Sequence, residues 1–119
     1  MTASRDILAF IDDILGSIEQ IKIYVTDVTE REFENDLEKQ DAVIRRIEII
    51  GEAVKNIPDN IRKSYPNVPW RQLAGMRDVV IHEYFGITLS IVWKTANADL
   101  PRLKEEFERI RFDITSTFS

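Results

Sequence analysis

The chain has 119 residues, 44% hydrophobic and 31% charged, with a formal net charge of −5 and no cysteine. That is enough polypeptide for one domain around one core. It excludes disulfides, cysteine-ligated zinc and a thiol nucleophile, and its negative balance argues against sequence-independent, charge-driven binding to nucleic acid.

No stretch approaches the roughly 20 apolar residues of a membrane span. The opening MTASRDILAFIDDIL carries acids where a signal peptide keeps an uninterrupted apolar run, so the expected location is the cytoplasm. The charge is uneven along the chain. Residues 27–41 hold seven acids against Arg31 and Lys39, whereas residues 42–82 hold seven bases against four acids. A local positive surface is therefore compatible with the net charge.

Residues 4–25 read as a helix with Ser4 as N-cap. Ile7, Ile11, Ile14, Ile18, Ile21 and Val25 recur at steps of four and three, which is a helical seam. Gly16 lowers helix propensity without breaking that pattern. Residues 27–41 are acidic and polar. Thr29 and Glu32 fit the capping box of a short helix, and a solvated connector is the alternative.

A second long helix is expected from about Asp41 to Asn56, ended by Pro58. Val43, Ile44, Ile47, Ile50, Gly51 and Val54 form its apolar stripe, and Arg45, Glu48, Glu52 and Lys55 line the other side. The isolated Ile49 lies outside that stripe. Three prolines within residues 58–69 leave room for only one short turn, near Asn60–Tyr65. Pro69 suits the first turn of the next helix, which is read to about Phe85, with Gly86 as its stop.

The last helix begins near Thr88. Leu89, Trp93, Ala96, Leu100, Leu103, Phe107, Ile110 and Ile114 hold one seam across Pro101. One long helix kinked at the proline, or a fresh start capped by Asp99, satisfies this pattern. The tail TSTFS is expected to fray. Val79–Ile81 are β-branched but do not alternate with polar residues and have no partner run. The fold class is therefore all-α, an up-down bundle of four to five helices, in a single domain spanning residues 1–119.

The chemistry concentrates in Gly75–Gly86, GMRDVVIHEYFG, which contains the only histidine, His82. At about 100° per residue, Trp70, Leu73, Val80, Ile81 and Tyr84 fall within roughly 60° of Arg77, so Arg77 occupies the middle of the apolar stripe. An arginine facing a core needs a partner. That partner is a buried acid such as Glu48 or Glu52, or Arg77 belongs to a site.

Arg71, Gly75, Asp78 and His82 follow a second stripe. Asp78 lies one turn before His82 and can accept from its ring, fixing the tautomer. A surface histidine with a helical carboxylate neighbour is the other reading. Arg77 and His82 point about 140° apart on an ideal helix. A two-fold dimer that brings two copies of this helix together would let the two residues converge across the interface.

At these residues the chain resembles the HEPN superfamily of RNases and, within it, the HepT-like toxins. Their pattern is arginine, a polar residue, three variable residues, histidine, one variable residue and tyrosine. Here that is Arg77, Asp78, Val79–Ile81, His82, Glu83 and Tyr84. RRIEIIGEAVKNIP before the motif, MRDVVIHEYFGI through it and IVWKTANADLPRLKEE after it resemble the family's stretches in order.

The resemblance implies a homodimeric HEPN-like bundle with both motifs in an interfacial cleft. It implies an endoribonuclease cleaving RNA without a metal, as the toxin of a type II- or type VII-like toxin–antitoxin pair. Arg77, His82 and Asp78 would be catalytic. The implied partner is a minimal nucleotidyltransferase antitoxin, able to transfer AMP to Tyr84. Neither DNA nor a membrane is an expected partner.

The residues suit that chemistry. RNA supplies its own nucleophile in the 2′-OH. A histidine, with an ordinary pKa near 6.5, serves as general base or acid, and arginine's planar fork stabilises phosphate oxygens. No metal site and no cofactor are expected: the sequence has no ligand-spaced cluster of carboxylates and histidines and no glycine-rich phosphate loop. The alternative function is a non-catalytic helical module that binds a nucleotide or a nucleotidyltransferase partner; a purely structural dimeric bundle is a third.

Overall fold

A computed structural model of the protein describes residues 2–84 and 89–118, with the side chains of residues 2–5, 77, 79–84, 117 and 118 outside the description. Among the described residues every regular element is helical. The elements are α1 (Thr2–Val25), α2 (Glu30–Glu34), α3 (Leu37–Lys55), α4 (Asp59–Ser64), α5 (Trp70–Tyr84), α6 (Leu89–Lys94), a π-helical turn (Thr95–Asp99) and α7 (Leu100–Phe118). The π-helical turn joins α6 and α7 end to end. Four long helical bodies therefore make the bundle, and α2 and α4 are short helices in its connections.

The seam of α1 is its buried side: Ile11, Ile14, Ile18, Ile21 and Val25 are all buried. This face packs on α3 and on α7, and α3 in turn carries α5. Arg111 binds Asp12 at 2.7 Å and Lys104 binds Glu19 at 3.4 Å. Residue numbers rise along α1 as they fall along α7, so these two helices run antiparallel. Both ion pairs are largely solvated and contribute little to stability. They report the orientation that the buried seams impose.

The acidic connector holds more structure than a solvated link. Thr29 caps α2, with its side chain accepting from Glu32 N–H and Glu32 accepting from Thr29 N–H at 2.9 Å. The expected capping box is present. It turns Phe33 inward, wholly buried, with its ring centroid 5.4 Å from that of Trp93.

The next helix starts at Leu37, four residues before the expected start near Asp41. Asp36 caps it by accepting from Lys39 N–H at 3.0 Å, and buried Gln40 donates to the Phe33 and Glu34 carbonyls. A polar first turn is thus anchored by hydrogen bonds instead of apolar contacts. Along the rest of α3, Arg45–Glu48 and Lys55–Glu52 pair on the outer side at 3.8 Å each.

Around Pro101 the helix continues, by widening. Proline has no N–H to donate, and its ring crowds the carbonyl four residues back, here that of Asn97. The chain inserts a π turn immediately before it, with Leu100 N–H reaching the Thr95 carbonyl. Asn97 Nδ2 also donates to the Trp93 carbonyl at 3.0 Å. The burial of Ala96, Leu100, Phe107, Ile110 and Ile114 persists through the junction. The tail expected to fray is helical through Phe118.

Tyr65 ties the segment before α5 to α7, donating to Asp113 Oδ2 at 2.5 Å. Burial, then the hydrogen bond to the Asp113 carboxylate, pushes its phenol up to about 12. A neutral phenol is therefore favoured in the folded state. Its contribution is fully present below pH about 10 and is lost as pH rises from there toward about 12. Tyr65→Phe is expected to cost about 1 kcal/mol at neutral pH and to flatten the alkaline fall in stability. Denaturant melts at pH 8 and pH 11 check both effects.

Candidate active site

The segment bearing the motif is a helix because its side chains follow a 3.6-residue period, in spite of the β-branched run Val79–Ile81. Pro69 supplies the rigid entry, and its carbonyl accepts from Leu73 N–H at 3.0 Å. Trp70 fixes the rotation of α5. Its indole N–H donates to the Arg62 and Tyr65 carbonyls at 3.1 and 3.0 Å, and its ring meets Phe107 edge-on at 5.7 Å. Arg62 is itself anchored, donating to the Ile57 and Val54 carbonyls at 2.9 Å each. The entry to α5 is therefore clamped by α4 and α7 together.

With that rotation set, the two stripes can be located. Trp70 and Leu73 are buried, so the register position of Arg77 belongs to the core side of the helix. Arg71 and Asp78 are exposed and Gly75 is half-buried. A Cβ added at Gly75 would have no atom within 4 Å. From Arg71 to Asp78 the second stripe thus faces outward, with a side-chain-free step in its middle.

Arg77, Asp78, His82 and Tyr84 all lie on this one helix. The side chains of Arg77, His82 and Tyr84 lie outside the described residues, as do the expected helix end at Phe85–Gly86 and the start at Thr88. Glu48 and Glu52 each meet a base on their own helix, Glu52 makes a further interaction besides, and a pairing of either with Arg77 lies outside the described residues. Ile49, which stood outside the apolar stripe, lines a shallow groove between α1 and α3 with Phe10, Asp13 and Glu48. Among the described residues no group of three or more His, Cys, Asp or Glu side chains is arranged to hold a metal ion. No helix among them is long and apolar enough to cross a membrane.

The periodicity alone gave no role to Arg71, beyond a place on the His82 stripe. The signal was available: positions 67, 68, 74 and 75, three and four residues away on either side, are Asn, Val, Ala and Gly. No acid stands three or four residues from it, where a helical ion pair would form.

The described residues form a helical bundle, one clamped helix of which carries the arginine–histidine–tyrosine motif in its sequence, and comparison with known sequences gives the family. The profile described as Ribonuclease HepT-like matches residues 14–110, so the chain belongs to the HepT-like ribonucleases, a family of endoribonucleases. A protein of Methanocaldococcus jannaschii named "Putative RNase MJ0125" is 48% identical over 110 residues, covering 92% of this chain and 95% of that one. The "Probable ribonuclease HepT" of Thermococcus cleftensis is 44% identical over 102 residues, covering 86% and 93% of the two chains. A longer M. jannaschii protein, named "Gamma-glutamylcyclotransferase and putative RNase MJ0434", is 47% identical over 106 residues, which is 89% of this chain and 48% of that one. No solved structure matches.

Proposed function

We propose that this ribonuclease is the toxin of a toxin–antitoxin pair and cleaves RNA at a site built from Arg77, Asp78 and His82 of two copies of the chain. The observation that carries the reading is the family match, which spans the whole motif. The 2′-OH of the substrate attacks the adjacent phosphorus as His82 takes its proton. The bond from phosphorus to the 5′-oxygen breaks, and that oxygen leaves with a proton from an imidazolium. The products are a 2′,3′-cyclic phosphate and a free 5′-OH. Arg77 holds the non-bridging oxygens as charge gathers on them, and Asp78 orients His82.

The partner in this reading is a minimal nucleotidyltransferase. AMP transferred from ATP to the Tyr84 hydroxyl, with pyrophosphate leaving, would put bulk and negative charge two residues from His82 and exclude RNA. Such an enzyme and its antitoxin work in the cytoplasm, where their RNA is.

The test is expression without the antitoxin. Wild type is expected to arrest growth and to leave cyclic-phosphate ends on cellular RNA, and Arg77→Ala, folded by circular dichroism, is expected to do neither. Co-expression with the nucleotidyltransferase is expected to shift the mass of the Tyr84 peptide by whole AMP units. A wild-type protein that neither arrests growth nor cleaves RNA would leave the binding-module reading in its place.

A further inference from the structure

We propose that Arg71 is a positioning residue for RNA, holding a backbone phosphate away from the scissile bond on the face of α5 that it shares with position 82. This rests on the ribonuclease reading above. Arg71 follows Trp70, whose burial and two hydrogen bonds fix the rotation of the helix at that point. Its direction is therefore set by the core. The side chain is exposed and makes no ion pair or side-chain hydrogen bond among the described residues. An exposed guanidinium with no internal partner is open to a ligand, and its planar fork matches a phosphate.

The register supplies the rest. Position 82 is eleven residues beyond Arg71, which on an α-helix is about 20° around the axis and about 16 Å along it. Gly75 lies between them, and a Cβ there would meet nothing within 4 Å. The strip thus has a low floor where a sugar–phosphate backbone can approach the helix. Asp78, also exposed on this strip, is the one acid on it, and in the ribonuclease reading its carboxylate is engaged by His82. A net charge of −5 gives the chain no general attraction for RNA. Cations aligned with the reacting helix must then do the holding, and the substrate class is single-stranded RNA long enough to reach from position 82 to Arg71.

The experiment uses the full-length chain and a fluorescent single-stranded oligoribonucleotide, read by cleavage kinetics and by anisotropy. Arg71→Ala is expected to raise KM about tenfold with kcat unchanged. It should make the slope of log Kd against log salt shallower by about 0.7. Arg71→Lys is expected to recover most of the KM and the whole salt slope. Lys22→Ala removes the same charge from α1, across the bundle with α3 intervening, and is expected to behave as wild type.

Wild-type KM and salt slope in Arg71→Ala, or a fall in kcat at constant KM, would overturn the proposal while leaving the ribonuclease reading intact. If wild type cleaves no RNA, the ribonuclease reading fails on its own. Anisotropy then decides for Arg71, with an unchanged Kd in Arg71→Ala counting against it.

Discussion

Replacing His82 by alanine is expected to lower kcat/KM for RNA cleavage by about 10²- to 10⁴-fold, the usual worth of a general acid–base, with no change in the melting curve. The size follows from the chemistry. The 2′-OH is a weak nucleophile until its proton is removed, and the 5′-oxygen is a poor leaving group until it gains one. In this reading an imidazole handles both transfers, and the chain has no second histidine to substitute for it. Arg77→Lys should fall between wild type and Arg77→Ala. It keeps the charge but loses the planar fork that meets two phosphate oxygens at once.

The same pair of variants tests how the site is assembled. Arg77 and His82 are five residues apart on one α-helix, hence about 140° apart around it. A site made by two chains combines the arginine of one with the histidine of the other. Mixing Arg77→Ala and His82→Ala protein, each inactive alone, then creates heterodimers with one intact combination. Cleavage is expected to reappear after the two are denatured and refolded together. A site contained in one chain gives no recovery under the same protocol, because every chain in the mixture is damaged.

How far these features could be read in advance depended on where the stabilising contacts lie along the chain. The seams of α1 and of the α6–α7 body were legible because their buried residues recur at helical spacing within one segment. The helical state of residues 79–81 was legible for the same reason, periodicity outweighing β-propensity. Phe33 was not. It stands alone among acids, and what buries it is Trp93, sixty residues later.

The first turn of α3 escaped notice because Asp36 and Gln40 hold it by hydrogen bonds, which leave no mark on an apolar pattern. At Pro101 the seam implied continuity, while the means of achieving it, one extra residue in the preceding turn, has no signature in the spacing. In the candidate site, the identities of Arg77, Asp78, His82 and Tyr84 were legible as a motif. The clamp that aims their helix was not, because it depends on Trp70 reaching carbonyls of α4 and its exit.

That clamp leads to the largest expected effect on stability. Phe107→Ala should destabilise the fold by about 3–5 kcal/mol, out of a total of about 5–15 kcal/mol for a domain of this kind. Phe107 has no exposed surface, so truncation leaves a cavity the size of the ring. It also removes the edge-on partner of Trp70, a contact worth about 0.5–1.5 kcal/mol beyond the area it buries. Phe107→Leu fills most of the space without the ring and should cost roughly half as much. Chemical denaturation of the three proteins gives these values directly.

The position of the loss matters as much as its size. Trp70 is the first residue of α5, and its rotation determines which way Arg71, Asp78 and position 82 face. Phe107→Ala is therefore expected to impair cleavage even at a temperature where the variant remains folded. A core substitution of similar cost on α1, such as Ile14→Ala at a site that is also fully buried, should spare it. Equal specific activities for these two folded variants would show that the Trp70–Phe107 contact supports the fold without aiming the site helix.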